Sequence, residues 1–168
     1  MTNDRIDNNI DDIAARVGQA LPARTQLLCT AESSTGGGVA QAVTGIAGSS
    51  AWFERGFVTY SNVSKAELLG VPAALIAQCG AVSEEVAAAM AQGALANSAA
   101  HIALSITGIA GPGGAMPGKP VGTVCFAWSR AGATRTEQLV FDGDRAAVRA
   151  QATIYALAGL LLFIETIE

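Results

Sequence analysis

The sequence is poor in the residues from which hydrolytic and redox centres are commonly built. Its 168 residues include one histidine, His101, and three cysteines, Cys29, Cys79 and Cys125. A Ser–His–Asp triad has only His101 to draw on. That residue opens an apolar run leading away towards Thr107, so it is expected at the edge of the sheet opposite the Thr107 loop. A catalytic zinc site takes several His or Cys ligands, and none are grouped here, so no metal and no other cofactor is expected. Asp142 and Asp144 are explained by helix capping before cation binding. The cysteines are far apart, odd in number and set among apolar residues, without a Cys-x-x-Cys pair. That pattern reads as buried thiols in a reducing, cytoplasmic setting.

Charge is scarce as well. Asp, Glu, Lys and Arg make up 14% of the chain, against about 25% in a typical domain. The net charge of −4 gives no bulk attraction for nucleic acid. A surface with few charges leaves apolar area to cover, so a homo-oligomer, a dimer in particular, is expected. Long hydrophobic runs are missing too. Ala156 to Ile164 is the longest, far short of the roughly 20 residues of a membrane span. The polar N-terminal stretch does not resemble a signal sequence. No membrane partner is expected.

What is present is 51% apolar residues, enough for one α/β domain over 1–168. Helical spacing of Ile10, Ile13, Ala14, Val17 and Leu21 predicts a helix over 8–20, ended by Pro22. Strands are predicted over 26–31, 56–60, 101–107, 121–128 and 134–141, the last two as an antiparallel hairpin around Arg130-Ala-Gly-Ala. Helices are predicted after the turn at 32–38, from Ser61 or Asn62 to Leu69, from Pro72 to about Gln78, from Ser83 to about Asn97, and from Arg145 to about Ile164, with capping by Ser83 and Asp144. Glu84 and Glu85 read as partners of a helix dipole rather than a catalytic pair. The order predicts a three-layer α/β/α sandwich with a mixed five-stranded sheet.

Two glycine-rich loops follow apolar strands, the position at which open α/β sheets bind ligands. The first, Glu32-Ser-Ser-Thr-Gly-Gly-Gly38, opens a helix, an arrangement that turns backbone N–H groups towards an anion. Ser33, Ser34, Thr35 and Gly36 are candidate binding residues there. It lacks the ending of a Walker loop and is not Gly-x-Gly-x-x-Gly. The second begins at Thr107 and Gly108.

The stretch from Gly48 to Lys65 carries the candidate chemistry. Gly48, Ser49 and Ser50 form a turn; Tyr60 ends the following strand; Lys65 lies in the next helix. Serine needs a base to attack. Lysine is a base only when its amine is neutral, which requires its pKa to fall well below about 10.4. A phenol beside the amine relays a proton or holds the amine. The pattern alone favours the plainer reading of Lys65 as a solvated helix lysine. Arg145 and Arg149, one turn apart, fit a phosphate clamp or an exposed basic face equally.

Several motifs in order then resemble the CinA C-terminal (competence/damage-inducible) family: Thr30-Ala-Glu-Ser-Ser-Thr-Gly-Gly37, Gly48-Ser-Ser-Ala-Trp-Phe-Glu-Arg-Gly-Phe-Val-Thr-Tyr-Ser-Asn62, Lys65, Gly80-Ala-Val-Ser83, Thr107-Gly-Ile-Ala-Gly-Pro112 and Lys119-Pro-Val-Gly-Thr123. The length is similar to the family's stand-alone members. The resemblance implies hydrolysis of nicotinamide mononucleotide to nicotinate mononucleotide and ammonia, in pyridine nucleotide recycling. It also implies a serine–lysine arrangement with an assisting tyrosine, carried over by motif as Ser50, Lys65 and Tyr60, with Ser33 as the other candidate nucleophile. Ser33, Thr107 and Arg145 match substrate-pocket positions. Ser34 stands where the family motif usually has Cys. The family's name leaves a second reading, a nucleotide-binding or regulatory module without turnover.

Overall fold

Alternation along the strands decides how the layers meet. The computed structural model describes residues 3–166, with side chains from residue 9; residues 1–2 and 167–168 of the expected domain lie outside it. On β3 (Ile102–Gly108), Ile102, Leu104 and Ile106 face one way and Ala103, Ser105 and Thr107 the other. On β4 (Thr123–Arg130), Val124, Phe126 and Trp128 alternate with Cys125 and Ala127. One face of the sheet is therefore large and the other small.

The large face packs against α1 (Asn3–Ala23), α2 (Gly38–Thr44) and α6 (Arg145–Glu165). Phe126, Trp128, Phe141 and Tyr155 cluster there, and Trp128 Nε1 donates to the Ala156 carbonyl at 2.9 Å. Gly159 is needed for that contact, since a Cβ would stand 2.1 Å from the Trp128 ring. The small face admits the alanine-rich α5 (Glu84–Ala96), with α3 (Asn62–Leu69) and α4 (Ala73–Cys79) beside it. Ser105 donates to the Ala87 carbonyl of α5 at 2.6 Å, which satisfies a hydroxyl buried in that layer.

The sheet has five strands in the order β2-β1-β3-β4-β5. β1 (Leu28–Glu32) runs parallel to β2 (Phe53–Val58) and β3; β3, β4 and β5 (Ala133–Val140) are antiparallel. The mixed α/β/α sandwich is as the element order predicts. Helix ends follow the capping chemistry: Ser61, Ser83 and Asp144 accept N–H bonds from Ser64, Val86 and Ala147, and Gly70 closes α3 at φ 66°.

Three local features differ from expectation. α1 runs past Ala20 and takes Pro22 into its last turn, so the helix goes one residue beyond a proline that cannot donate to the preceding turn; the chain turns afterwards at Thr25, φ 54°. β2 starts at Phe53, because Phe53 pairs with Leu28 and a bulge at Glu54 resets the register to Cys29–Arg55. It therefore ends at Val58, leaving Thr59 and Tyr60 beyond the strand. Cys79 is partly exposed, whereas Cys29 and Cys125 are buried. α6 is, among the described residues, the one helix long and apolar enough to cross a membrane, yet Val148, Ala152, Ala156, Leu157, Leu160 and Ile164 are at most 1% exposed in the core.

Candidate active site

The C-terminal ends of the parallel strands meet at one side of the sheet. β1 ends at Glu32 and hands on to Ser33; β2 hands on to Thr59 and Tyr60; β3 ends at Thr107 and Gly108. Between them lies a cleft of about 260 Å³, with Ser33, Lys65, Tyr60, Thr107, Gly108 and Arg145 in its walls. The loop 109–114 completes it.

Lys65 is 1% exposed. It sits on the first turns of α3, whose start is fixed by the Ser61 cap. Helical side chains lean towards the helix N-terminus, which carries the amine back to the segment before α3. There Nζ donates to the carbonyls of Thr59 at 2.8 Å and Tyr60 at 3.3 Å, and meets Ser33 Oγ at 3.0 Å. Burial pushes its pKa down from the ordinary lysine value, because desolvation penalises the charged form.

This arrangement orients the amine. A neutral amine has two N–H groups and one lone pair. The carbonyls of Thr59 and Tyr60 can only accept, whereas the Ser33 hydroxyl can also donate. A neutral amine that gives both N–H groups to the carbonyls turns its lone pair to Ser33, whose Oγ also stands 3.5 Å from the Tyr60 carbonyl.

The loop that carries Ser33 is held from within by Glu32, which is fully buried. Its Oε1 accepts from Thr35 Oγ1 at 2.7 Å and from the Val39 amide at 2.8 Å; its Oε2 accepts from the Ala40 amide at 3.1 Å. The amides at the start of α2 are thus taken by the protein's own carboxylate. They are not open to an anionic ligand, contrary to the reading of this loop as an anion cradle. The Ser33 amide is bound to the Ile106 carbonyl at 2.9 Å, while that of Ser34 has no partner among the described residues.

On the opposite wall, Arg145 Nη1 donates to the Gly111 carbonyl at 2.9 Å and Nη2 to the Tyr60 phenol oxygen at 3.2 Å. Thr107 donates to the Ala81 carbonyl at 2.9 Å.

The structure brings Ser33, Ser34, Tyr60, Lys65, Thr107, Gly108 and Arg145 to one cleft. It does not bring Ser50 there. Ser50 lies in a short 3-10 helix, Ser49–Ala51, before β2, and Lys65 follows the strand. Six residues at about 3.3 Å each separate the two ends of β2. Ser50 is exposed, and Gly48 and Ser49 stay with it at the far end. The assignment of Ser50 as partner of Lys65 is corrected accordingly: the serine within reach of the amine is Ser33. Tyr60 is corrected in part, since Lys65 meets its carbonyl while its phenol is held by Arg145. Thr35 turns inward to Glu32, and Gly36 lies against Arg149, so neither lines the cleft.

His101 lies at the opposite edge, where Nδ1 accepts from the Leu27 amide at 2.9 Å. Burial pushes Cys29 up to about 11 and Cys125 up to about 12, so both stay protonated near neutral pH.

Glu32 was not legible as a site residue, and Arg149 was read only as half of a phosphate clamp or of an exposed basic face, not as a support of the Ser33 loop. A lone acid ending an apolar strand, just before a serine and a glycine turn, was the available signal for Glu32. Arg149 gave none beyond its spacing from Arg145.

The chain matches the model of the CinA C-terminal domain over residues 10–164. The nicotinamide-nucleotide amidohydrolase PncC of Escherichia coli is 57% identical over 157 residues, covering 92% of this chain and 94% of that protein. The protein of the same name from Pseudomonas putida is 53% identical over 152 residues, covering 90% and 95%. The crystal structure of a competence damage-inducible protein A from Klebsiella pneumoniae superposes with a TM-score of 0.92 at 41% identity, covering 95% of this chain and 99% of that one.

Proposed function

This chain belongs to the CinA C-terminal domain family, and from that membership we propose that it is an amidohydrolase converting nicotinamide mononucleotide and water to nicotinate mononucleotide and ammonia, with Ser33 as nucleophile and Lys65 as base. The observation that carries the mechanism is the 3.0 Å approach of Lys65 Nζ to Ser33 Oγ at the wall of the cleft. The relatives named PncC supply the substrate class.

The neutral amine of Lys65 takes the hydroxyl proton as Ser33 Oγ attacks the carboxamide carbon. The carbonyl oxygen becomes an oxyanion, for which the amide of the next residue, Ser34, without a partner among the described residues, is the backbone donor we assign. The Lys65 ammonium returns its proton to the departing nitrogen, which leaves as ammonia. Ser33 is left as an ester. Water then attacks that ester while Lys65 accepts one of its protons, and that proton passes to Ser33 Oγ as the carboxylic acid departs and gives its remaining proton to solvent. Arg145, the cation of the opposite wall, takes the phosphate, and Thr107 and Tyr60 shape the rest of the pocket.

The reading includes 1–168 as one amidohydrolase domain, a cytoplasmic role in pyridine nucleotide recycling, and a homodimer. Incubation with nicotinamide mononucleotide in the presence of a chelator tests it. Ammonia and nicotinate mononucleotide should appear in equal amounts, and Ser33→Ala should abolish both. Binding of the nucleotide by the wild type without product overturns it in favour of a regulatory module.

A further inference from the structure

We propose that Arg149 is a positioning residue for Ser33, acting through the carbonyls of the loop that carries it; the inference rests on the Ser33–Lys65 reading above. Arg145 and Arg149 stand one turn apart on α6 and do different things. Arg145 reaches the cleft wall. Arg149 crosses to the loop after β1, where Nε donates to the Ser34 carbonyl at 3.1 Å and Nη2 approaches the Thr35 carbonyl at 3.5 Å. These are the two peptide oxygens following the nucleophile.

The loop is thereby clamped from two sides. Thr35 gives its hydroxyl to Glu32 at 2.7 Å inside, and its carbonyl faces Arg149 outside. The next residue is Gly36 at φ +60°, and a Cβ there would stand 3.4 Å from Arg149 Nη2. The chain path favours glycine at this position, and a Cβ would only touch the guanidinium. The planar fork of Arg149 is committed to carbonyls, and the residue is absent from the cleft lining. It is therefore not the second half of a phosphate clamp.

The consequence falls on the chemistry rather than on binding. With the Ser34 and Thr35 carbonyls fixed, the two peptide planes beyond Ser34 are fixed, and the Gly36 amide in turn holds the Ser33 carbonyl at 3.0 Å, so the turn that sets Ser33 Oγ opposite Lys65 is braced at its far end. A misplacement of about 1 Å costs on the order of a hundredfold in rate.

The test compares wild type, Arg149→Met and Arg149→Lys with nicotinamide mononucleotide as substrate, and adds amide hydrogen exchange on each. Arg149→Met should lose on the order of tenfold to a hundredfold in kcat with KM held within about threefold. The amides of residues 34–38 should exchange faster while those of α5 do not. Arg149→Lys, which keeps one donor for the Ser34 carbonyl, should recover part of kcat. A raised KM at unchanged kcat overturns the proposal, because it makes Arg149 a substrate ligand. Unchanged exchange in the loop overturns it as well. If the wild type leaves nicotinamide mononucleotide intact, the functional reading fails by itself, and the exchange comparison still decides whether Arg149 holds the loop.

Discussion

Glu32 and Lys65 are the two charged residues that are buried among the side chains described, and their surroundings differ in kind. The carboxylate of Glu32 meets three donors, two of them backbone amides of α2. Lys65 meets two backbone carbonyls and a hydroxyl, with no acid among these contacts. These donors satisfy both carboxyl oxygens of Glu32, so it is a finished piece of scaffold. Burial works against the charged form of Lys65 and lowers its pKa. A buried ionisable group whose partners complete it holds structure together; one whose charged form burial disfavours is a candidate for proton transfer.

Substitution can break this contrast at either end. Lys65→Met should have the largest effect, a loss of about 10³-fold or more in ammonia release, while thermal unfolding stays cooperative. The same variant sharpens the comparison through pH. In the wild type, the rate should rise through an apparent pKa below the ordinary value near 10.5. Stability follows the same sign. The unfolded chain holds the Lys65 proton to higher pH than the folded chain, so the wild type gains stability relative to Lys65→Met as pH rises between the two pKa values. A fall in that difference over the same range contradicts the assignment.

Glu32→Ala should act mainly on stability. It leaves the Val39 and Ala40 amides and the Thr35 hydroxyl without their acceptor, at a cost of about 2–4 kcal/mol, measurable by urea unfolding. If it instead removed activity with stability intact, Glu32 would belong to the chemistry and the contrast would fail. The smallest effect is expected from Ser50→Ala. Exposed and at the far end of β2, Ser50 should tolerate the change within about 0.5 kcal/mol, with turnover of nicotinamide mononucleotide unaltered. A large loss of turnover would return Ser50 to the site.

Much of the fold was legible because it depends on local chemistry. Ser61, Gly70, Ser83 and Asp144 act on residues within a few positions of themselves, and the apolar runs of β3 and β4 declare burial on both faces. The cleft was legible in part: the motifs pointed to the loops after β1 and β3, and both lie in its walls. The pairing was not. Ser50 and Lys65 are 15 positions apart in sequence, but a strand carries the two ends of that interval to opposite edges of the sheet. Ser33 and Lys65 are 32 positions apart and meet because β1 and β2 run parallel and deliver their ends to one side. Arg149 reaches a loop 115 positions earlier, a contact that no periodicity encodes.

The acceptors that aim the Lys65 amine are main-chain oxygens of Thr59 and Tyr60. Point substitution at either position exchanges a side chain and leaves those oxygens in place. The aim of the amine is therefore inherited through the route of the chain, not through the identity of its residues, and it tolerates sequence drift that a side-chain acceptor would not. What it does not tolerate is a change in length: one residue inserted or deleted between Val58 and Ser61 would move both oxygens at once.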